Sequence, residues 1–444
     1  MSPPAMPAIA IAPGDALSFW PKSAPTIPPM TRPPTTARIT LWTMYATSSC
    51  GNSAHPAAPR LYEALSPTVN TRRTDCHRGE RQADAHTAGA PEDTLDETRL
   101  AELLSAIQQL TVVITGDFCL DRYGRGGIQG VSRETGQEVP RLESHFFSPG
   151  AAGTIAWNLA DLGAEVLAIP VLGADRYGEV ITREMVLRGI DASNAVVEEG
   201  RHTPSYEKLK IRHQDGQVRE LRIDVANAGP VGEAAGQALA GRVRSVVSGH
   251  QAQVLVVADY DEEGTGVVTA DIREALCTVA ASPELVSVAT SRANTGGFRN
   301  FALVPNEYEL TTASGVAQPE VFDDVSDATV EAAAAALLPR IGKPFFVTRG
   351  TRGITVFELD GRISHVPTRK AEGEIDITGA GDSALSAISL TLAAGGTSVE
   401  AALMGNLAAN ITVRKIGTTG TATPEELQQV YRDVFADLAA PEAG

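Results

Sequence analysis

From residue 95 onward the chain alternates short, unbroken apolar runs with segments whose apolar residues recur at helical spacing, and this alternation restricts the fold more than any other feature. Leu110-Thr-Val-Val-Ile-Thr-Gly116, Val254-Leu-Val-Val-Ala258 and Phe345-Phe-Val-Thr348 are too short for helices and lack the regular polar alternation of a strand with one wet face. Strands of this kind have to be covered on both sides, as in a mainly parallel sheet held between two helical layers. Residues 165–173, 286–289 and 301–304 read as further strands. Leu100, Leu103, Leu104 and Ile107, and later Val180, Ile181, Met185 and Leu187, mark helices. The expected architecture is a doubly wound α/β sheet, in which ligands bind beyond the carboxyl ends of the strands. The residues at those ends are Asp117 and Asp121, Asp259-Tyr260, Ser291-Arg292, Asn306 with Glu309, and Thr348 with Gly350 and Gly353.

One later stretch carries the clearest chemistry. Asp376-Ile-Thr-Gly-Ala-Gly-Asp382 runs directly into Ser383–Leu392, where Ala384, Leu385, Ile388 and Leu392 keep helical spacing up to a Gly395-Gly396 stop. The pattern predicts an amphipathic helix with Gly379, Ala380 and Gly381 at its N-terminus. Unpaired first-turn amides and missing side chains suit that position to a phosphate. A carboxylate at Asp382 is awkward beside a phosphoryl group unless it takes the proton of an attacking hydroxyl. A plain glycine turn with an acidic helix cap is the other reading of the same residues.

Between residues 203 and 225 the period changes to two, with Leu209 and Ile211 before Asp215-Gly216 and Leu221 and Ile223 after it, which predicts a β-hairpin. Lys208, Lys210 and Arg212 share one of its faces. That face is either a basic ligand surface or a solvated strand face.

Composition narrows the partners. A net charge of -17 and a pI near 5.0 argue against nucleic acid or an acidic membrane surface. No apolar run reaches membrane-spanning length. Cys50, Cys76, Cys119 and Cys277 are scattered without metal or redox spacing, which fits a reduced, cytoplasmic setting. Residues 1–95 carry Pro-Pro pairs at 3–4, 28–29 and 33–34 and no sustained period, so a disordered extension is expected there. Its arginines, among them Arg72 and Arg73, suggest a transit peptide only faintly, and the prolines break any long amphipathic helix.

The string Asp-x-Thr-Gly-Ala-Gly-Asp resembles the C-terminal signature of the ribokinase, or PfkB, carbohydrate kinases. The resemblance covers about residues 96–440 and implies a ribokinase-like fold with a small β-sheet lid, built from about 124–147 and 203–225. It implies Asp382 as catalytic base, with Gly379, Ala380 and Gly381 as the anion hole. Gly-Asp117-x-x-x-Asp121-Arg-Tyr is similar to the start of the heptose phosphate kinase branch, making Asp121, with Asp117, the sugar anchor. The turn Pro149-Gly150-Ala151 and the helix after it resemble the N-terminal signature, with Ala151 in place of a glycine and Thr154 in place of a substrate-binding asparagine. Gly150 and Thr154 are the corresponding substrate positions.

Asn306 and Glu309 match the Asn-x-x-Glu motif that organises Mg²⁺ near the triphosphate, although helix capping explains that spacing equally. Thr348, Gly350, Gly353, Lys415 and Gly417 fall where the family binds ATP. Asp376 and Thr378 fall where it holds a monovalent cation such as K⁺. The expected partners are a sugar or sugar phosphate and a second copy of the chain bound through the lid. Kinases for fructose, ribose or a nucleoside, and a catalytically silent sugar-binding protein, share these features. His-x-Gly-His, which marks the nucleotidyltransferase half of bifunctional heptose enzymes, does not occur, so phosphorylation alone is expected.

Overall fold

The computed structural model describes residues 95–317 and 325–435. The extension expected over 1–95 lies outside the described residues apart from Leu95, as do residues 436–440 of the expected domain. Helix α1 (Glu97–Ile107) starts at an Asp96 cap, buries the four predicted apolar residues and leads into β1 (Thr111–Gly116). A first lid hairpin follows, β2 (Phe118–Val131) and β3 (Glu138–Ala151). Then come α2 (Ala152–Asp161), β4 (Glu165–Gly173), α3 (Arg176–Leu187) and β5 (Val196–Glu198). The second lid hairpin is β6 (Ser205–Arg212) and β7 (Val218–Val225).

Strand and helix alternate again through α4 (Glu233–Gly249), β8 (Val254–Asp259), α5 (Ala270–Val279), β9 (Val286–Ser291) and β10 (Ala302–Leu303). Helices α6 (Glu307–Ser314) and α7 (Asp327–Ile341) precede β11 (Phe345–Thr348), β12 (Ile354–Phe357) and β13 (Ile363–Val366). The chain closes with α8 (Ala380–Ala393), α9 (Ser398–Thr412) and α10 (Pro424–Val430).

Among the described residues the main sheet has the order β13-β12-β11-β10-β9-β8-β1-β4-β5. Its strands are parallel from β5 to β11, and β12 and β13 add an antiparallel edge. Successive side chains of β1 enter opposite layers: Val112 and Ile114 pack with α1, α2, α8 and α9, and Val113 with α4, α5 and α7. Burial on both faces explains why the strands read as continuous apolar runs.

The lid is the second sheet, ordered β3-β2-β6-β7. Its strands start at Phe118 and end at Ala151, further out than 124–147, so Asp121 sits on a lid strand. Gly116 makes this possible: at φ 125° a Cβ would lie 2.0 Å from the Ala258 carbonyl oxygen, so the chain leaves β1 against its neighbour and enters the lid at once.

Helix α8 corrects the expectation of an amphipathic helix. Ser383 to Thr391 are all buried, because both α9 and α2 pack on it. The Ser386, Ser389 and Thr391 hydroxyls are satisfied by donating to carbonyls four residues back.

Candidate active site

The N-terminus of α8 opens at Gly379, whose φ of 81° is left-handed and costs a glycine little. No side chain caps this end. The Ala380 amide turns back to the Ile377 carbonyl at 3.2 Å, whereas those of Gly379, Gly381 and Asp382 have no acceptor among the described residues. Ala380 is thus not one of the free donors.

Asp382 is half-buried in the first turn, and the Tyr260 hydroxyl donates a hydrogen bond to its Oδ1. Burial lifts its pKa to about 6; the Tyr260 bond and the Arg292 charge pull the other way, and the Asp121 charge adds to the rise. The Asp121 charge is therefore felt at Asp382. Asp121 is also pushed up by burial, against the attraction of Lys208, whose Nζ lies 3.5 Å from Oδ1. Lys208 also donates to the Tyr123 hydroxyl at 3.3 Å. By strand register Asp121, Tyr123, Arg125, Lys208 and Arg222 share the lid face on which Asp121 lies. The predicted basic face is thus the face that carries Asp121, and Glu220 and Asp224 of β7 lie on it too.

Asp117 has a different job from the one expected. Its oxygens accept from the amides of Tyr260 at 2.8 Å, Asp261 at 3.2 Å and Val267 at 2.7 Å. The carboxylate hangs the loop after β8 from the end of β1 and so sets where Tyr260 stands. Thr154 also departs from expectation: its hydroxyl donates to the Pro149 carbonyl, the residue is buried, and its methyl faces Gly379. It supports the anion-hole turn from below. Gly150 serves the anchor by absence, since a Cβ there would stand 2.9 Å from Asp121 Oδ2.

Asn306 and Glu309 form a reciprocal capping box on α6, so capping accounts for one oxygen of Glu309. Its Oε1 keeps no protein partner. Burial raises the Glu309 pKa to about 7 against the Asn306 bond and Arg292, with Glu262 and Asp382 adding to the rise. Thr348 donates its amide to Pro305. Gly350 at φ 56° turns the chain with open space around it. At Gly353 a Cβ would stand 2.2 Å from the Val366 carbonyl oxygen, so backbone packing demands a glycine there.

The Lys415 ammonium is held by the Thr421 carbonyl at 2.6 Å and by Glu426 at 2.7 Å. It closes the 415–421 loop on itself. Asp376 accepts from the Thr378 amide at 3.0 Å and the Gly417 amide at 3.1 Å, joining the anion-hole turn to that loop. Its burial would raise the pKa, but these hydrogen bonds outweigh it and hold the carboxyl below the usual range. Among the described residues no three His, Cys, Asp or Glu side chains converge as a metal cluster, and Glu309 is not brought together with Asp376.

Sequence reasoning named Asp259-Tyr260 and Ser291-Arg292 without assigning them roles, and it missed a link between the two halves of the site. Ser148 of β3, paired in register with Asp121, shares a buried hydroxyl contact of 2.9 Å with Thr419. Only the placement of Tyr260 and Arg292 at strand ends signalled their proximity to the site.

Comparison with known proteins fits this arrangement. The model of the pfkB family carbohydrate kinases matches residues 111–426. The chain belongs to this family. Its pfkB-type sequence is 32% identical over 345 residues to the Bifunctional protein HldE of Azorhizobium caulinodans, covering 77% of this chain and 68% of the relative. It is 32% identical over 352 residues to the HldE of Paramagnetospirillum magneticum, covering 78% and 68%. Among solved structures, the tetrameric inhibited form of phosphofructokinase-2 from Escherichia coli superimposes with a TM-score of 0.55 at 17% identity, covering 73% of this chain and 98% of that one. Ribokinase from Arabidopsis thaliana, complexed with ribose and ATP, gives 0.53 at 17% identity, covering 72% and 98%. The fold is ribokinase-like, and the pfkB protein is a carbohydrate kinase. Among the described residues no helix is long and apolar enough to cross a membrane.

Proposed function

We propose that the protein transfers the γ-phosphoryl group of ATP to a hydroxyl of a phosphorylated sugar, with a heptose 7-phosphate as the acceptor favoured by the resemblance of the Asp117–Tyr123 string. The observation that carries the reading is the pairing of Asp382, at an uncapped helix N-terminus, with Asp121 on the lid within reach of its charge. Asp121 holds the sugar and Asp382 takes the proton of the attacking hydroxyl. The sugar oxygen bonds to the γ-phosphorus, the bond from phosphorus to the departing ADP oxygen breaks, and the amides of Gly379, Gly381 and Asp382 receive the developing charge. A carboxyl titrating near 6 is largely ionised at neutral pH and still basic enough to accept a proton.

An all-oxygen environment suits Mg²⁺, and Glu309, with one oxygen unused by the protein, is the residue to hold it through the nucleotide and water. The ion supplies charge neutralisation on the phosphates. Each Asp376 oxygen accepts a single amide and keeps lone pairs, which supports a monovalent cation there. Thr348, Gly350 and Gly417 line the nucleotide side. Leu221 and Ile223, both exposed on the lid face opposite Arg222, support pairing with a second copy. The reading as a whole is of a cytoplasmic enzyme.

One observation favours an unphosphorylated acceptor such as fructose or ribose: the Lys208 ammonium is already shared by Asp121 and Tyr123. ADP release measured with matched pairs of free and phosphorylated sugars separates the two. Turnover with phosphorylated sugars supports the first reading, turnover confined to free sugars the second, and no turnover with any sugar removes both in favour of a silent binding protein.

A further inference from the structure

Arg292 has no part in the reading above, yet its charge bears on several groups of the site. Strands β8 and β9 pair in register up to Asp259 and Ser291, so Tyr260 and Arg292 are the next residues on adjacent strands at the carboxyl edge. The backbone that carries Arg292 is pinned. Buried Asp259 accepts from the Ser291 hydroxyl at 2.8 Å and from Asn294 Nδ2 at 3.2 Å, and its carbonyl accepts from the Arg292 amide at 3.0 Å. The Asn294 amide closes the turn on Ser291 Oγ at 2.8 Å.

The side chain beyond this clamp is 47% exposed, and its guanidinium lies 5.0 Å from the centre of the Tyr260 ring whose hydroxyl holds Asp382. Its one ion-pair partner among the described residues is Glu262 at 3.6 Å, itself 59% exposed. Exposed pairs of this kind contribute little. Asp382 and Glu309 add negative charge close by, which repels a triphosphate.

Among the described residues several other cations near the site are committed elsewhere, although Arg125 Nη2 stands 3.8 Å from where a Gly417 Cβ would lie. Lys415 is tied to Thr421 and Glu426, and Arg349 and Arg352 to Glu307 and Asp327. Lys208 belongs to the sugar anchor.

We propose that Arg292 is a catalytic residue that binds the phosphoryl group in transit, and that Glu262 is the weak partner it leaves when the nucleotide arrives. This rests on the kinase reading of Asp382. Guanidinium forks match phosphate oxygens geometrically, and charge supplied at the transferring group acts mainly in the transition state.

The test compares Arg292→Lys, Arg292→Met, Glu262→Gln and Asp382→Asn by steady-state kinetics and by calorimetric ATP binding, with thermal melts as a folding check. Arg292→Met keeps the apolar stack on Tyr260 and loses the charge. Its kcat is expected to fall about 10²–10³-fold, with ATP affinity changed far less, and Arg292→Lys is expected to recover part of the loss. Glu262→Gln is expected to raise kcat by no more than about two- to fivefold with ATP affinity little changed, the gain expected from releasing a weak surface pair. A folded Arg292→Met enzyme with kcat within twofold of the parent overturns the proposal, as does Arg292→Lys behaving no better than Arg292→Met. If Asp382→Asn turns over like the parent, the kinase reading of that residue fails instead, which keeps the two failures apart.

Discussion

Gly150→Ala tests how closely the lid holds its sugar anchor. The added Cβ would stand 2.6 Å from Cys119 Sγ and 2.9 Å from Asp121 Oδ2. Ordinary contacts begin near 3.5 Å, so the carboxylate must withdraw by about half an ångström and the sulfur by nearly twice that. Gly150 is not among the residues with positive φ, so alanine fits the backbone and the effect is steric. A carboxylate displaced by up to about 1 Å loses aligned hydrogen bonds to sugar hydroxyls, and misplacement on this scale costs roughly 10²-fold in rate. The expected result is a fall of that order in kcat/KM for the sugar, with KM for ATP unchanged. Coupled ADP-release kinetics with each substrate varied in turn read both quantities. The double variant Gly150→Ala/Cys119→Ala relieves the sulfur contact but leaves the Asp121 contact, so it should remain impaired. A folded Gly150→Ala enzyme with sugar kcat/KM within twofold of the parent would refute Asp121 as the anchor in this geometry.

Asp382→Asn should lower kcat by about 10²–10⁴-fold, the range of general base catalysis, with calorimetric ATP affinity kept. The pKa of about 6 predicts a kcat that falls tenfold per unit below pH 6 and levels off above it; a flat profile from pH 5 to 8 contradicts the assignment. The same shift affects stability with a definite sign. Because the folded pKa lies above the unfolded value, ionised Asp382 costs stability above pH 6, and the cost fades as pH falls toward 4. Asp382→Asn should therefore raise the urea midpoint at pH 7.5 and keep less of that advantage at pH 5. Ala151 sits at φ 53°, ψ -122° at the lid hinge, a conformation costly for a residue with a Cβ. Ala151→Gly should stabilise the fold by about 1 kcal/mol once the greater unfolded-state entropy of glycine is counted, read as a rise in urea midpoint.

The sheet was legible because burial on both faces writes itself as continuous apolar runs; β4 and β11 have the bounds their runs suggested. The hairpin at Asp215-Gly216 was legible from period two, and Gly216 adopts φ 81° there. What stayed hidden depended on partners distant in sequence. Lys415 looks free until Glu426 is folded back onto it, and Asp117 looks like a ligand acid until the loop at 260–267 supplies three amides. The all-round burial of α8 was masked by serines, which read as solvent-facing although the helix backbone satisfies each hydroxyl locally.

That burial has an evolutionary consequence. The acid at the head of α8 rides on a helix buried from Ser383 to Thr391, whereas Asp121 belongs to a four-stranded sheet whose edge strand β7 is exposed along nearly its whole length. Acceptor preference can therefore drift through lid substitutions while the phosphoryl chemistry stays fixed, and grafting a relative's two hairpins onto this core offers a direct route to changing what it phosphorylates.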